Sequence, residues 1–118
     1  MITDGGLDHL ADQMLDTPTQ NTMTHMAIGI GSTTEAATDT TLESEQARVS
    51  LTSKIRSSNV VTYIADFPAG TGTGAVTEAA ILNAGTVGDM LNRIVFPVKN
   101  KGATDSLQIT QTLTLQRV

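Results

Sequence analysis

The sequence predicts a mainly β fold: an antiparallel β-sandwich or open barrel with one N-terminal α-helix. Three observations carry this. From Ser106 to Val118 the chain reads SLQITQTLTLQRV, in which Leu107, Ile109, Leu113 and Leu115 alternate with Ser, Thr and Gln, and only Gln111 breaks the apolar row. A period of two marks a strand with one buried and one polar face. Six segments of strand character are separated by turn-forming clusters, with no strand–helix–strand rhythm that would signal a parallel sheet. Helical periodicity is confined to the first fifteen or so positions.

In order along the chain, Leu7, Leu10, Ala11, Met14 and Leu15 fall on one side of a helix expected over 4–15. Thr3 is placed to cap it, Asp4 suits its first turn, and Ile2 can pack back on Leu7 as a hydrophobic staple. The stripe must be buried somewhere, against one side or end of the sheet, and Pro18 ends the helix. Met26, Ile28 and Ile30 form the alternating row of a first strand. Residues 32–39 read as a loop. Thr40-Thr41-Leu42-Glu43 has the form of a capping box, so a short helical turn is expected at 41–46. A second strand over 49–55 and a third over 60–67 flank Ser57-Ser58-Asn59 and predict a hairpin, with Val61, Tyr63, Ala65 and Phe67 facing the core. Residues 68–74, PAGTGTG, break the pattern. A fourth strand, 75–83, is apolar on both faces apart from Thr77 and Glu78. A Gly-containing hairpin loop, 84–89, leads to a fifth strand, 90–98, and residues 100–105 turn the chain into the terminal strand. That strand, about 3.3 Å per residue, would span roughly 40 Å.

At 118 residues the chain is expected to form one domain, 1–118, with a single core. Its formal net charge of -5 and scattered Lys and Arg argue against nucleic acid, which needs clustered cations. Twenty threonines favour strands and turns, and with one Tyr, two Phe and no Trp the core must rest on aliphatic residues and Met. Absence of Cys excludes disulfides and thiolate metal sites. The N-terminus lacks the basic and apolar regions of a secretion signal, and no apolar run reaches the ~20 residues of a membrane-spanning helix.

No segment has the residue types of an active site. Gly29-Ile30-Gly31 lacks the remaining glycines and the Lys-Ser/Thr of a phosphate loop, so it is expected to serve a tight strand end. His9 and His25 are the only histidines; without further ligands nearby they are expected at the surface or boundary rather than on a metal. Asp4, Asp8, Asp12 and Asp16 recur every four residues, which reads as a solvated helix face, since no calcium-loop spacing accompanies them. Glu78, the one acid in an apolar strand, either faces solvent at an edge or pairs with Arg93 across the 84–89 hairpin; the pair is the better reading. No nucleophile, base and ligand converge, so no catalytic, cofactor-binding or metal-binding residue is expected, and no enzyme activity.

The ordered segments ITDGGLDHLAD, THMAIGIGSTT, ATDTTLESEQAR, FPAGTGTGAVTEAAILNA and DMLNRIVFPVKNKGATDSLQITQTLTL together resemble the tail-fibre and tail-collar type structural proteins of tailed bacterial and archaeal viruses. The matching residues are Ile2, Thr3, Gly6 and Leu7; Ile28, Gly29 and Gly31; Leu42 and Glu45; Thr77 and Glu78; and Leu91, Arg93 and Phe96. Ala80 and Leu82 depart from the Gly and Phe usual there. The resemblance implies a virion localisation, assembly by protein contact, no enzymatic residues, and a homo-oligomer, trimer first, with pentamer or hexamer as alternatives. Since the chain ends after the domain, an adaptor, collar, baseplate or decoration subunit is expected rather than a whole fibre. Capsid decoration or a head turret is the alternative location. A small carbohydrate-binding module is a third reading, disfavoured because such sites present exposed aromatic rings. The glycine-bearing loops 68–74 and 84–89 are expected to form the exposed, adaptable end.

Overall fold

The computed structural model describes residues 1–117, and its helix begins where the sequence places it. Helix α1 (Asp4–Gln13) is capped by Thr3, whose hydroxyl accepts from the Gly6 N–H. Seven strands follow: β1 (His25–Gly29), β2 (Glu45–Ser50), β3 (Ser53–Ser57), β4 (Val60–Phe67), β5 (Gly74–Leu82), β6 (Met90–Lys101) and β7 (Leu107–Thr114). They form two antiparallel sheets, one ordered β2-β1-β5-β6 and one ordered β3-β4-β7. The architecture is that of a sandwich, not a closed barrel.

Between the sheets lie Met26 and Ile28 of β1, Tyr63, Ala65 and Phe67 of β4, Val76, Ala79 and Ile81 of β5, and Leu91 of β6. The Tyr63, Ala65, Phe67 row is therefore the core face that the alternation predicts. A second apolar cluster, Ala27, Leu42, Ala80, Leu82 and Met90, sits on the other face of the four-stranded sheet. Strand β5 is buried on both faces, which explains its near-continuous apolar run.

Several expectations are corrected. The stretch expected as one strand over 49–55 is a corner: β2 ends at Ser50 in the larger sheet and β3 starts at Ser53 in the smaller one. The crossing is held by Leu51 N–H to Thr24 O and Thr52 N–H to Ile64 O, each 2.8 Å. Such sheet-switching strands close the corner of a sandwich. The helical turn expected at 41–46 does not form. Glu43, read as a capping residue, accepts instead from the Ser32 and Thr33 N–H groups and the Thr33 hydroxyl, while 45–50 is strand. Ile30 is exposed and lies outside β1.

Strand β6 runs past Pro97 to Lys101. The ladder with β5 shifts between Val76↔Lys99 and Glu78↔Val95, and Pro97 falls in that irregularity on an edge strand, where its missing N–H costs no ladder bond. The terminal strand is shorter than expected, eight residues rather than the whole of 106–118; Val118 lies outside the described residues. Loops 68–74 and 84–89 stand at opposite ends of β5, so they cannot form one exposed end. The second is tied down: Asn83 bonds Asp89 through side chain and backbone, and Arg48 Nη1 donates to Ala84 O and Val87 O at 2.9 and 2.8 Å.

The helix packs by a different face from the one its apolar stripe suggests. Gly6 and His9 are buried, whereas Leu7, Met14 and Leu15 are 58%, 85% and 59% exposed. The reason is close approach: a Cβ on Gly6 would stand 2.0 Å from the Leu91 carbonyl oxygen. Thr3 fixes the same contact, donating through its hydroxyl to Met90 O at 3.1 Å. Of the stripe, Leu10 alone packs against the core.

Candidate functional site

The most developed polar constellation lies on the outer face of the four-stranded sheet, under the segment that joins β1 to β2. Bulging of β5 after Val76 turns Glu78 outward beside Ala80 and Leu82, and the pairing Ala80↔Arg93 brings Arg93 of β6 next to it. Arg93 Nε donates to Glu78 Oε1 at 2.9 Å, and Arg93 Nη1 donates to Asp39 Oδ2 at 3.1 Å. Glu78 is 0% exposed and Arg93 2%.

A buried charge needs a full set of partners. Glu78 has them: Oε1 also accepts from Glu43 N–H, and Oε2 accepts from Gly31 N–H and Ser44 N–H, at 2.9, 2.8 and 2.8 Å. Burial pushes the Glu78 carboxyl up, but the N–H groups of Ser44, Glu43 and Gly31 and the Arg93 guanidinium outweigh it and hold the group below the ordinary glutamate range. Burial likewise works against charge on Arg93, and Glu78 and Asp39 reverse it, so the guanidinium stays protonated. Asp39 is held low first by the Ala36 N–H and then by Arg93.

The Gly29-Ile30-Gly31 motif is explained by this carboxylate. A Cβ on Gly29 would lie 2.6 Å from Glu78 Oε2 and 2.3 Å from Ser44 O; one on Gly31 would lie 2.5 Å from Glu78 Oε2. Both glycines let backbone close over a buried acid. Thr77 completes the clasp, its hydroxyl donating to Gly31 O at 2.7 Å. The expected cross-strand Glu78–Arg93 pair thus exists, and it is the centre of a lock that fastens the 30–44 segment to the sheet.

A cleft of about 300 Å3 beside this lock is lined by Thr33, Thr38, Asp39, Thr40, Thr41, Glu43 and Arg93. Arg93 Nη2 is buried without a hydrogen-bond partner among the described residues. With Asp39, Glu43 and Glu78 around it, one guanidinium is outnumbered by carboxylates.

Neither histidine occupies a ligand cluster, and among the described residues no group of three His, Asp or Glu could hold a metal ion. His9 is not at the surface as expected: it is 4% exposed, with Nδ1 2.9 Å from Gln20 Oε1. The Asp stripe divides. Asp12 accepts from Thr19 hydroxyl and N–H and from Gln20 N–H, which lowers its carboxyl to about 2 and ties the loop after the helix. Asp4, Asp8 and Asp16 are exposed, as a solvated face requires. Among the described residues no helix is long and apolar enough to cross a membrane.

The second constellation is an open seam where β6 of one sheet faces β7 of the other. One cleft, about 320 Å3, is lined by Tyr63, Ile81, Leu91, Asn92, Gln111 and Leu113, and by Met1 and Ile2, which pair with β6 at Asn92. Another, about 280 Å3, continues it past Ile94, Phe96, Leu107 and Ile109. Gln111, which breaks the apolar row of the terminal strand, is 7% exposed, and its Oε1 accepts from Asn92 Nδ2 at 2.7 Å. The sequence signals it only as an interruption; its role needs the facing strand.

Comparison with known proteins finds no matching family model and no matching curated protein.

Proposed function

We propose that this chain is a structural subunit of a tailed virus, working in a tail, collar, baseplate or fibre adaptor through protein–protein assembly. The observation that carries the reading is where the residues of the resemblance lie. Thr3 and Gly6 seat the helix on Leu91; Gly29, Gly31, Thr77, Glu78 and Arg93 build one buried lock; Leu42 fills the apolar cluster beside it. Segments far apart in sequence are thus one physical unit, and that unit holds a loop and a helix on a sheet. Leu7 and Glu45 stand apart: Leu7 is exposed, and Glu45 pairs only with Arg48.

Exposed apolar surface supports the assembly part. Leu7 and Ala11 of α1, and Met14 and Leu15 just past its end, are all exposed. Exposed large apolar side chains grouped in one short segment suit a contact surface. Copies of the chain and other virion proteins are the partners in this reading, with a homo-oligomer, trimer first, as its form. Capsid decoration is the alternative place in the particle and uses the same surfaces.

Mass spectrometry of purified particles tests the proposal. The reading requires the protein in particles at a fixed stoichiometry, and tail-only and head-only fractions separate the two locations. Absence from particles would overturn it.

A further inference from the structure

The four outermost strands of the two sheets differ in one respect. Strand β2 carries Glu45 and Arg48, β3 carries Lys54 and Arg56, and β6 carries Pro97 and Lys99. Charges and proline are the usual means by which a sheet edge avoids pairing with another chain. Strand β7 has neither over its whole length, Leu107–Thr114.

Its hydrogen-bonding direction can be assigned. Leu115 N–H donates to Asn59 O at 2.9 Å, and the register continues as Val60↔Thr114 and Val61↔Leu113. In an antiparallel ladder bonded and non-bonded pairs alternate. The odd residues 107 to 115 therefore bond β4, and the backbone groups of Gln108, Thr110, Thr112 and Thr114 point to the open side. Those four side chains are exposed, while the odd ones face the interior between the sheets.

That open side is also a groove. The two seam clefts share Ile94 and Thr110, so together they follow β7 from Leu107 to Leu113. The β6 wall contributes Ile94 and Phe96, which are only half-buried. Within the groove Gln111 Nε2 is buried and has no hydrogen-bond partner among the described residues. A free amide donor in a buried place marks a missing acceptor.

We infer that β7 is a strand-addition site, which takes an extended segment of a partner protein chain as the fourth strand of the smaller sheet. The segment it fits is uncharged and alternating. Its backbone would bond Gln108, Thr110, Thr112 and Thr114. Its inward residues would be apolar over Ile94 and Phe96, with one Ser, Thr, Asn or Gln to accept from Gln111 Nε2. Main-chain bonds give such complexes their affinity and alternate side chains their selectivity. The inference rests on the assembly reading for the partner being a protein chain.

Amide hydrogen exchange on the purified full chain tests it, with a capped peptide of alternating Thr and Val, bearing terminal lysines for solubility, as probe. In the free protein the amides of Gln108, Thr110, Thr112 and Thr114 should exchange fast and those of Ile109, Gln111 and Leu113 slowly. The peptide should slow the four even amides at least about tenfold, and a proline at its centre should abolish the effect. Thr112→Pro should weaken binding by at least about tenfold while the odd amides of β7 stay protected, which shows the variant is folded. No protection of the even amides at about 1 mM peptide would overturn the proposal. So would even amides already protected in the free protein and released on dilution, because a second copy would then occupy the edge. Failure here with the protein still found in particles would remove the strand site and leave the virion reading; success with the protein absent from particles would do the reverse.

Discussion

The two sheets are built from similar strands but solve different problems. The four-stranded sheet is covered twice: by the smaller sheet on its inner face, and by the 30–44 segment on its outer face, while α1 packs along β6. The three-stranded sheet is covered once, and its outer face mixes Thr62, Gln108, Thr110, Thr112 and Asp66 with Ile55, Val60 and Ile64. The difference is written in the side chains. Strand β5 is buried at Val76 and from Glu78 through Leu82, whereas β7 alternates between half-buried or buried and exposed positions throughout. A strand buried on both faces loses the period of two that a half-buried strand keeps. The second cover is also polar at its centre. It is fastened by a buried ion pair and a set of N–H donors beside the apolar cluster that Leu42 fills, and the polar partners fix where the covering segment sits.

The comparison can be broken most severely at Glu78. Glu78→Ala should cost about 3–5 kcal/mol, because it leaves the Arg93 guanidinium buried with only Asp39 for a partner. Denaturant titration measures the loss, and protease cleavage within 30–44 of the variant should precede global unfolding. A variant as stable as the parent would mean the lock does not hold the cover.

Next in size is the helix. Gly6→Ala should lower stability by about 1–3 kcal/mol even though alanine favours helices, since the added methyl meets the Leu91 carbonyl. The pair Leu10→Asp and Leu7→Asp sharpens this. Leu10→Asp should be destabilising by a few kcal/mol and Leu7→Asp by under about 0.5, although both belong to one stripe in the sequence. Equal effects in thermal melts would show that the helix sits by its apolar stripe after all.

Acid should act in part through the same cover, beside the lowered Asp12 and Asp66 carboxyls elsewhere. Glu78 and Asp39 have folded pKa values below their unfolded ones. Their ionised forms therefore contribute stability fully above the unfolded values of about 4, and that contribution is lost as pH falls through the lower folded values. Stability measured from pH 7 downward should be flat to about pH 5 and fall below it. In Glu78→Ala the fall should be shallower. An unchanged slope would assign the acid sensitivity to other carboxylates.

The smallest expected effect lies on the once-covered sheet. Thr110→Ala, on its exposed face, should change stability by less than about 1 kcal/mol. A larger loss in the isolated protein would indicate that this face is already covered by something.

Much of the architecture could be read without coordinates. The period of two in the terminal segment, the Ser58-Asn59 hairpin, the Tyr63, Ala65, Phe67 row and the Thr3 cap all follow from local rules, because a turn or an alternating face is decided by neighbours in sequence. The Glu78–Arg93 pair was within reach for the same reason: a hairpin places its two strands side by side. Other features depended on approach between distant segments. Which side of α1 faces the body was decided by Gly6 against Leu91, since backbone contact there outweighs an apolar stripe two turns long. The corner at Leu51-Thr52 arose because β2 and β3 bond different partners, Thr24 and Ile64, that no local pattern reveals. Glu43 became a bond acceptor for the 32–33 backbone rather than a helix cap because the buried Glu78 already holds its own N–H. Local sequence thus determined the strands, their faces and the cap. Tertiary structure decided the helix face, the sheet switch and the buried lock, because each is a contact whose partners come from separate segments.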